Sequence, residues 1–146
     1  MISTVPAVLD ALVASWSAAL PDAQVVDGQP LRVDRDIVCV GFTGDPGDVA
    51  VESTRTREQV AVDPDHEAYA ITCVASSLRG ETETKLVRDR VYAMVDTLAT
   101  MLVADQSLGG VAAQTRLTTE RFVQEQSTEG AVATVQFVVF VDAWTD

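Results

Sequence analysis

The feature that most constrains this chain is a set of apolar residues, Leu86, Val87, Val91, Met94, Val95, Leu98, Met101 and Leu102, recurring at spacings of three and four. Such positions fall on one stripe of a helix, so the spacing predicts a helix within Gly80 to Leu108 that has one face to bury. Thr82 and Thr84 are candidate N-caps, and Glu81 and Glu83 put negative charge at the positive end of the helix dipole, which starts the helix near residue 83. Lys85, Arg88, Asp89 and Arg90 form its solvated face. Asp105, Gly109 and Gly110 end it, because glycine accepts the left-handed conformation on which helices commonly stop. One apolar stripe calls for one sheet to cover it.

The last third of the chain supplies strands for that sheet. From Val111 to Gln126 and again from Ala131 to Ala143 the pattern has period two, with a turn at Ser127-Thr128-Glu129-Gly130 and Ala133, Val135, Phe137, Val139 and Val141 on one face. This predicts one long hairpin. Arms of about 13 residues at roughly 3.3 Å each reach about 43 Å, against a radius of gyration of roughly 15 Å for a compact chain of this length. Part of the hairpin is therefore expected to project or bend. A projecting strand pair leaves an edge of unpaired backbone groups, which proteins shield or use for pairing with another chain.

Upstream, Ser3 or Thr4 can cap a first helix, Pro6 suits its first turn, and Val5, Leu9, Leu12, Val13, Trp16 and Leu20 repeat at helical spacing until Pro21 stops it. Gln24 to Val26 reads as a brief strand, followed by turn chemistry at Asp27-Gly28 and Pro30. Ile37 to Phe42 is too short for a helix and rich in β-branched residues, which makes it a buried strand. Thr43 to Asp48 is a loop by composition. Val49 to Val62 alternates loosely and reads as a strand whose later part is polar on both faces, and Asp63-Pro64-Asp65-His66 reads as a turn. Tyr69, Ile71, Cys73 and Ala75 then alternate with Ala70, Thr72, Val74 and Ser76, which predicts a strand beneath the long helix. The chain is long enough for about one domain, and we expect a single one spanning residues 1–146. Its fold class is α+β, a mixed, mainly antiparallel sheet with two helices on one face and a long C-terminal β-hairpin. Hydrophobic residues make up 47% of it but aromatics only 5%, so the core must come mainly from Val, Ala and Leu.

The residues that could carry chemistry are few. His66 is the sole histidine, beside Asp63 and Asp65, and one histidine without a second or a patterned cysteine is a poor transition-metal site; an exposed turn residue is expected. Asp45 and Asp48 flank Pro-Gly as a turn would, and do not match a calcium loop. Cys39 and Cys73 fall in apolar strands, where burial raises a thiol pKa and works against a nucleophile. No metal, cofactor or catalytic residue is expected. The N-terminus lacks the basic and apolar regions of a signal peptide, no run approaches the roughly 20 apolar residues of a membrane span, and a reducing cytoplasm is the expected setting. The net charge is −12 and the ten basic residues are scattered, which argues against nucleic-acid binding as the main activity, although an acidic surface lets DNA pass without sticking. Trp16 belongs to the core. Trp144, beyond the hairpin, fits a contact residue as well as a core one. Arg55, Arg57 and Glu58 lie on a strand with no apolar face, either solvated or buried in an oligomer.

Read as a whole, the layout resembles the tail terminator (tail completion) proteins of long-tailed bacteriophages. The likeness rests on Leu20-Pro21 followed by Val25-Val26-Asp27-Gly28, on Ile71-Thr72-Cys73-Val74-Ala75-Ser76-Ser77 before the Gly80 turn, and on Val87-Arg88-Asp89-Arg90-Val91-Tyr92. It continues through Asp105-Gln106-Ser107-Leu108-Gly109-Gly110 and closes with Glu129-Gly130-Ala131 and Val135-Gln136-Phe137-Val138-Val139. The resemblance covers most of the chain and is weakest from Arg32 to His66. It implies a structural, non-enzymatic virion protein, assembled in the host cytoplasm, that forms a homohexameric ring at the head-proximal end of the tail. Such a ring stops polymerisation of the tail tube protein, docks a head-tail connector or stopper protein, and lets DNA through its channel without specific binding or any membrane contact. On this reading Arg55, Arg57, Glu58, Arg121 and Trp144 are the candidate subunit or tube contacts. The alternatives are another neck or tail component, such as a head-tail stopper or a tube subunit, and a small cytoplasmic hydrolase or ligand-binding domain.

Overall fold

The computed structural model describes residues 2–32, 35–55 and 65–145. In chain order the elements are α1 (Val5–Ala19), β1 (Gln24–Asp27), β2 (Asp36–Val40), β3 (Val51–Glu52), β4 (His66–Arg79), α2 (Thr84–Ala104), β5 (Gln114–Ser127) and β6 (Gly130–Trp144). The strands form one sheet in the order β1-β2-β4-β6-β5, with β3 also on β4. β1 and β2 are parallel, and every other pair is antiparallel. This is the α+β architecture that the periodicities predict.

The core lies between the helices and one face of this sheet. α2 buries Val87, Val91, Met94, Val95, Leu98 and Leu102, while Leu86, at the edge of the predicted stripe, is half exposed. α1 buries Val8, Leu12 and Trp16, and Leu20 follows it into the core; Trp16 meets Phe137 of β6 with ring centroids 5.9 Å apart. Alternate residues of β6, from Ala131 through Val135, Phe137, Val139 and Val141 to Ala143, are fully buried. Tyr69, Ile71, Cys73 and Ala75 of β4 stand opposite Val141, Val139, Phe137 and Val135. Each buried Val, Leu or Phe side chain contributes about 1.5–3 kcal/mol, so this double row is the main source of stability.

The helix ends depart from the sequence reading. Glu83, not Thr82 or Thr84, occupies the N-cap position of α2, without a side-chain cap, and its carboxylate accepts the Gly80 N–H at 3.2 Å. Thr84 is the first helical residue. At the other end Asp105 accepts the Ser107 N–H, the Ser107 hydroxyl and the Gly109 N–H, and Leu108, Gly109 and Gly110 all take positive φ, which turns the chain into β5.

The hairpin also differs from expectation. It does not project from the sheet, because β4 runs alongside β6 over fourteen paired positions, from His66↔Trp144 to Arg79↔Ala131. The pairing of the two arms is interrupted by a register shift between Leu117 and Thr119 of β5, an irregularity of the kind that locally increases twist. The turn is pinned to β4 at Gly130, whose φ is +137° and where a Cβ would sit 2.4 Å from the Arg79 carbonyl oxygen. Of the strand expected from Val49, the described residues pair only at Val51–Glu52, with Ile71 and Ala70 of β4; β2 holds β4 from Cys73 to Ser77 and so stops the pairing from starting at Val49, and residues 53–55 are not strand. The rest of that predicted strand and the first half of the turn before His66 fall at 56–64, outside the described residues. His66 itself is no turn residue; it opens β4 opposite Trp144.

Candidate functional site

Among the described residues, two extended surfaces of the sheet are left without a cover of secondary structure, besides the short outer edge of β1. The first is the outer edge of β5, fourteen residues whose far side pairs with no other described strand. Of its residues only Thr115 is buried, while Leu117, Phe122 and Gln124 are partly so. Phe122 rests on Tyr92 of α2 at 5.2 Å, and Gln124 donates to the Thr84 carbonyl at 2.6 Å, which ties this edge strand to the helix above it. The second is the sheet face opposite the helices. The loop after β2 reaches over part of it, with Gln136 donating to the Thr43 carbonyl at 2.7 Å and Gly44 lying against Val74. Val138 and Phe140 beside it are half-buried, and the Arg116 guanidinium lies 5.3 Å from the centre of the Phe140 ring.

The residues singled out from the sequence as contacts are dispersed over these surfaces. Arg121 is exposed on β5, opposite Gln136. Trp144 is 56% exposed at the end of β6 and packs on the His66 ring at 4.7 Å, while His66 also pairs with Asp142. Gln136 and Trp144 are eight residues apart along β6, roughly 26 Å, so Arg121 and Trp144 belong to different patches. Arg55 is partly buried and its charge acts on Glu67, so it serves its own subunit first. Arg57 and Glu58 lie outside the described residues.

Sequence reasoning missed two polar stations. Glu67 is 1% exposed and accepts the Ser3 hydroxyl at 2.7 Å, the Thr4 N–H at 2.7 Å and the Thr4 hydroxyl at 3.0 Å. It thus anchors the start of α1 from a strand sixty-three residues away, while the Ser3 hydroxyl accepts the N–H of Val5, the first helical residue, at 3.2 Å. Burial works to raise its carboxyl pKa, and the Thr4 and Ser3 hydrogen bonds with the Arg55 charge outweigh that, holding it below the ordinary carboxylate value. Burial pushes the neighbouring Tyr69 hydroxyl up to about 12. The second station is Asp36, 7% exposed at the start of β2. It receives a bidentate pair from Arg79 at 2.9 and 3.0 Å, the Ser77 hydroxyl at 2.7 Å and the Arg90 Nε at 3.0 Å. Burial alone would raise its pKa, but the bonds from Arg79, Ser77 and Arg90 bring it down to about 2. No local motif announces either station, because each joins residues distant in the chain.

Burial pushes the Cys39 and Cys73 thiols up to about 11 and about 12, which keeps both protonated at neutral pH. Among the described residues no three of the His, Cys, Asp and Glu side chains converge as a metal site would need, and no helix is long and apolar enough to cross a membrane.

No family model and no curated protein matches the chain. Among solved structures, a chain in the virion of a native gene transfer agent particle superimposes on it with a TM-score of 0.54, covering 99% of each chain at 7% identity. At that identity the likeness is one of fold, and it extends from end to end. The buried carboxylates Asp36 and Glu67 are engaged inside the chain, by ion pairs and by the start of α1.

Proposed function

We propose that this chain is a structural, non-enzymatic protein of a phage-type virion, and more narrowly a tail terminator that closes into a six-membered ring on the finished tail tube. The observation that carries the reading is the superposition over 99% of both chains with a virion component. The free edge of β5 adds to it, since an uncovered fourteen-residue strand is a ready template for a neighbouring chain. The ring would arise from head-to-tail contacts, in which two different surfaces of one subunit meet and the rotation closes. Tube protein would dock on one face of the ring and a head-tail connector or stopper on the other, with DNA passing through. Arg121 on the β5 edge and the exposed Trp144 remain contact residues in this scheme, joined by Arg57 and Glu58; Arg55 contributes only after satisfying Glu67.

The test is the solution mass of the purified protein across a concentration and salt series, with negative-stain images of the same samples and of samples mixed with tube protein. Rings of six, formed alone or on tube ends, are expected. A monomer that neither closes nor caps tubes would sink the reading, and spontaneous filaments would instead mark a tube subunit.

A further inference from the structure

A chain with 22 acidic and ten basic residues repels copies of itself, so a ring of such subunits needs a place where positive charge meets negative across each joint. Among the described residues, basic groups gather in one cleft. A cleft of about 660 Å³ lies where the starts of β2 and α2 approach the end of β4, lined by Asp22, Arg35, Asp36, Arg79 and Arg90. Within it Asp36 is fully engaged, and Asp22 is 79% exposed and stands 3.9 Å from the Arg90 Nη2. Arg35 is exposed at its rim, so the cleft's three arginines outnumber its two aspartates, and Arg32, three residues earlier in the chain, is exposed in a separate groove beside β1 and adds positive charge on the same loop.

The opposite sign sits at the same end of the sheet and on its other side. Arg79 pairs with Ala131, two residues from the hairpin turn, which places cleft and turn at one level. The turn and the end of β5 expose Glu125 and Glu129, and Glu81 lies beside them, its carbonyl accepting from the Gln126 side chain. The nearby cations are otherwise occupied: Lys85 pairs with Asp89, and Arg88 bonds Gln124. Glu83 already acts on Arg79 in its own subunit. The cleft is at the β2 and β4 side and the acidic corner at the outer β5 side, separated by the width of β6, a lateral offset that suits a head-to-tail joint rather than a contact within one chain.

We propose that Arg35 at the rim of the cleft, with Arg32 on the loop just before it, receives the hairpin-tip carboxylates Glu125 and Glu129 of a second copy of this chain. The inference rests on the ring reading and names the charged half of its repeating joint. The test compares the wild-type protein with R32E/R35E, with E125R/E129R and with the fourfold combination. Mass and negative-stain rings are measured at low and high salt, alone and with tube protein, and thermal melting checks that each variant is folded. All four positions are exposed, so melting should stay at the wild-type value. Either double reversal is expected to raise the concentration needed for ring closure at least tenfold at low salt. The fourfold variant, in which the signs are swapped but again complementary, is expected to return close to wild type. Rings that tolerate both reversals, or loss that the fourfold variant does not repair, would overturn this joint while leaving the ring reading in place. A wild-type chain that forms no ring under any condition would overturn both.

Discussion

The two arms of the C-terminal hairpin have the same period and nearly the same length, yet β6 is buried at every second residue while β5 buries only Thr115. The difference is one of position, since β6 is flanked on both sides and β5 on one. It is also written in residue choice. The helix-facing positions of β6 are Ala, Val and Phe throughout, whereas those of β5 are Thr115, Leu117, Glu120, Phe122, Gln124 and Gln126. Alternation alone therefore says that a segment is a strand, and the chemistry of the inward positions says whether it is central or outermost.

The comparison breaks hardest at Phe137. It is fully buried at the middle of β6, opposite Cys73 on one side and Glu120 on the other, with Trp16 resting on it. Phe137→Ala is expected to cost about 3–5 kcal/mol, since neither helix can collapse into the space without leaving the other. Chemical denaturation should show a midpoint shift of that size without a change of slope; a cost below about 1 kcal/mol would mean that β6 is not the spine of the core. Next comes the link between the two arms. Gly130→Ala asks a side chain to adopt φ of +137° and to sit 2.4 Å from the Arg79 carbonyl, so either the turn or the end of β4 must move. A loss of about 1–3 kcal/mol is expected, with amide exchange accelerated at the hairpin tip before the middle of the sheet.

The polar clamp on the inner strands offers a pH test of similar size. The Asp36 carboxyl is held at about 2, against an ordinary 3.8. Because the folded value is the lower one, its contribution is complete above about pH 4 and is lost as pH falls through 2. The difference corresponds to about 2 kcal/mol, and the depressed Glu67 adds in the same direction. Urea midpoints measured at pH 5 and pH 2.5 should fall together for the wild type. In Asp36→Asn the fall should be smaller by about that amount, from a lower starting stability, because Arg79 and Arg90 lose their shared anion. An equal fall in both proteins would show that the clamp is not what acid removes.

These contrasts show which parts of the molecule a sequence can announce. The α2 stripe and the β6 row were legible because a single period runs through each without interruption. The start of the Val49 segment was not, for β2 holds β4 from Cys73 to Ser77, a long-range fact that delays the pairing until Val51. The start of α1 was legible in part: Thr4 stands at the N-cap position and the Ser3 hydroxyl takes the Val5 N–H, while the anchor from Glu67 of a distant strand was not announced. His66 sat in turn-like company but belongs to β4 because Trp144 stands opposite it. Of the proposed contacts, Trp144 was legible as a tryptophan outside the core pattern, and Arg121 gained meaning only once β5 proved to be the outer strand. The arginine rim escaped notice because Arg35 and Arg90 are fifty-five residues apart and share a cleft only in the folded chain.

The smallest expected effect on folding is the most informative about the edge. Val123 is 39% exposed and Arg121 is exposed, both on the sheet face away from the helices and outside the core around Phe137. Replacing Val123 with Thr keeps the β-branched shape, and Arg121→Ala removes a side chain with no buried partner, so each should change stability by less than about 0.5 kcal/mol. If the β5 edge is where a second chain adds, the same substitutions face a different environment in the assembly, where Val123 would be covered and Arg121 would lose its solvent. Self-association should then respond while melting does not. That dissociation between the two readouts is what separates an edge used for assembly from one that is merely outermost: equal insensitivity of melting and of association would leave β5 as a plain border strand and move the joint to the opposite side of the sheet.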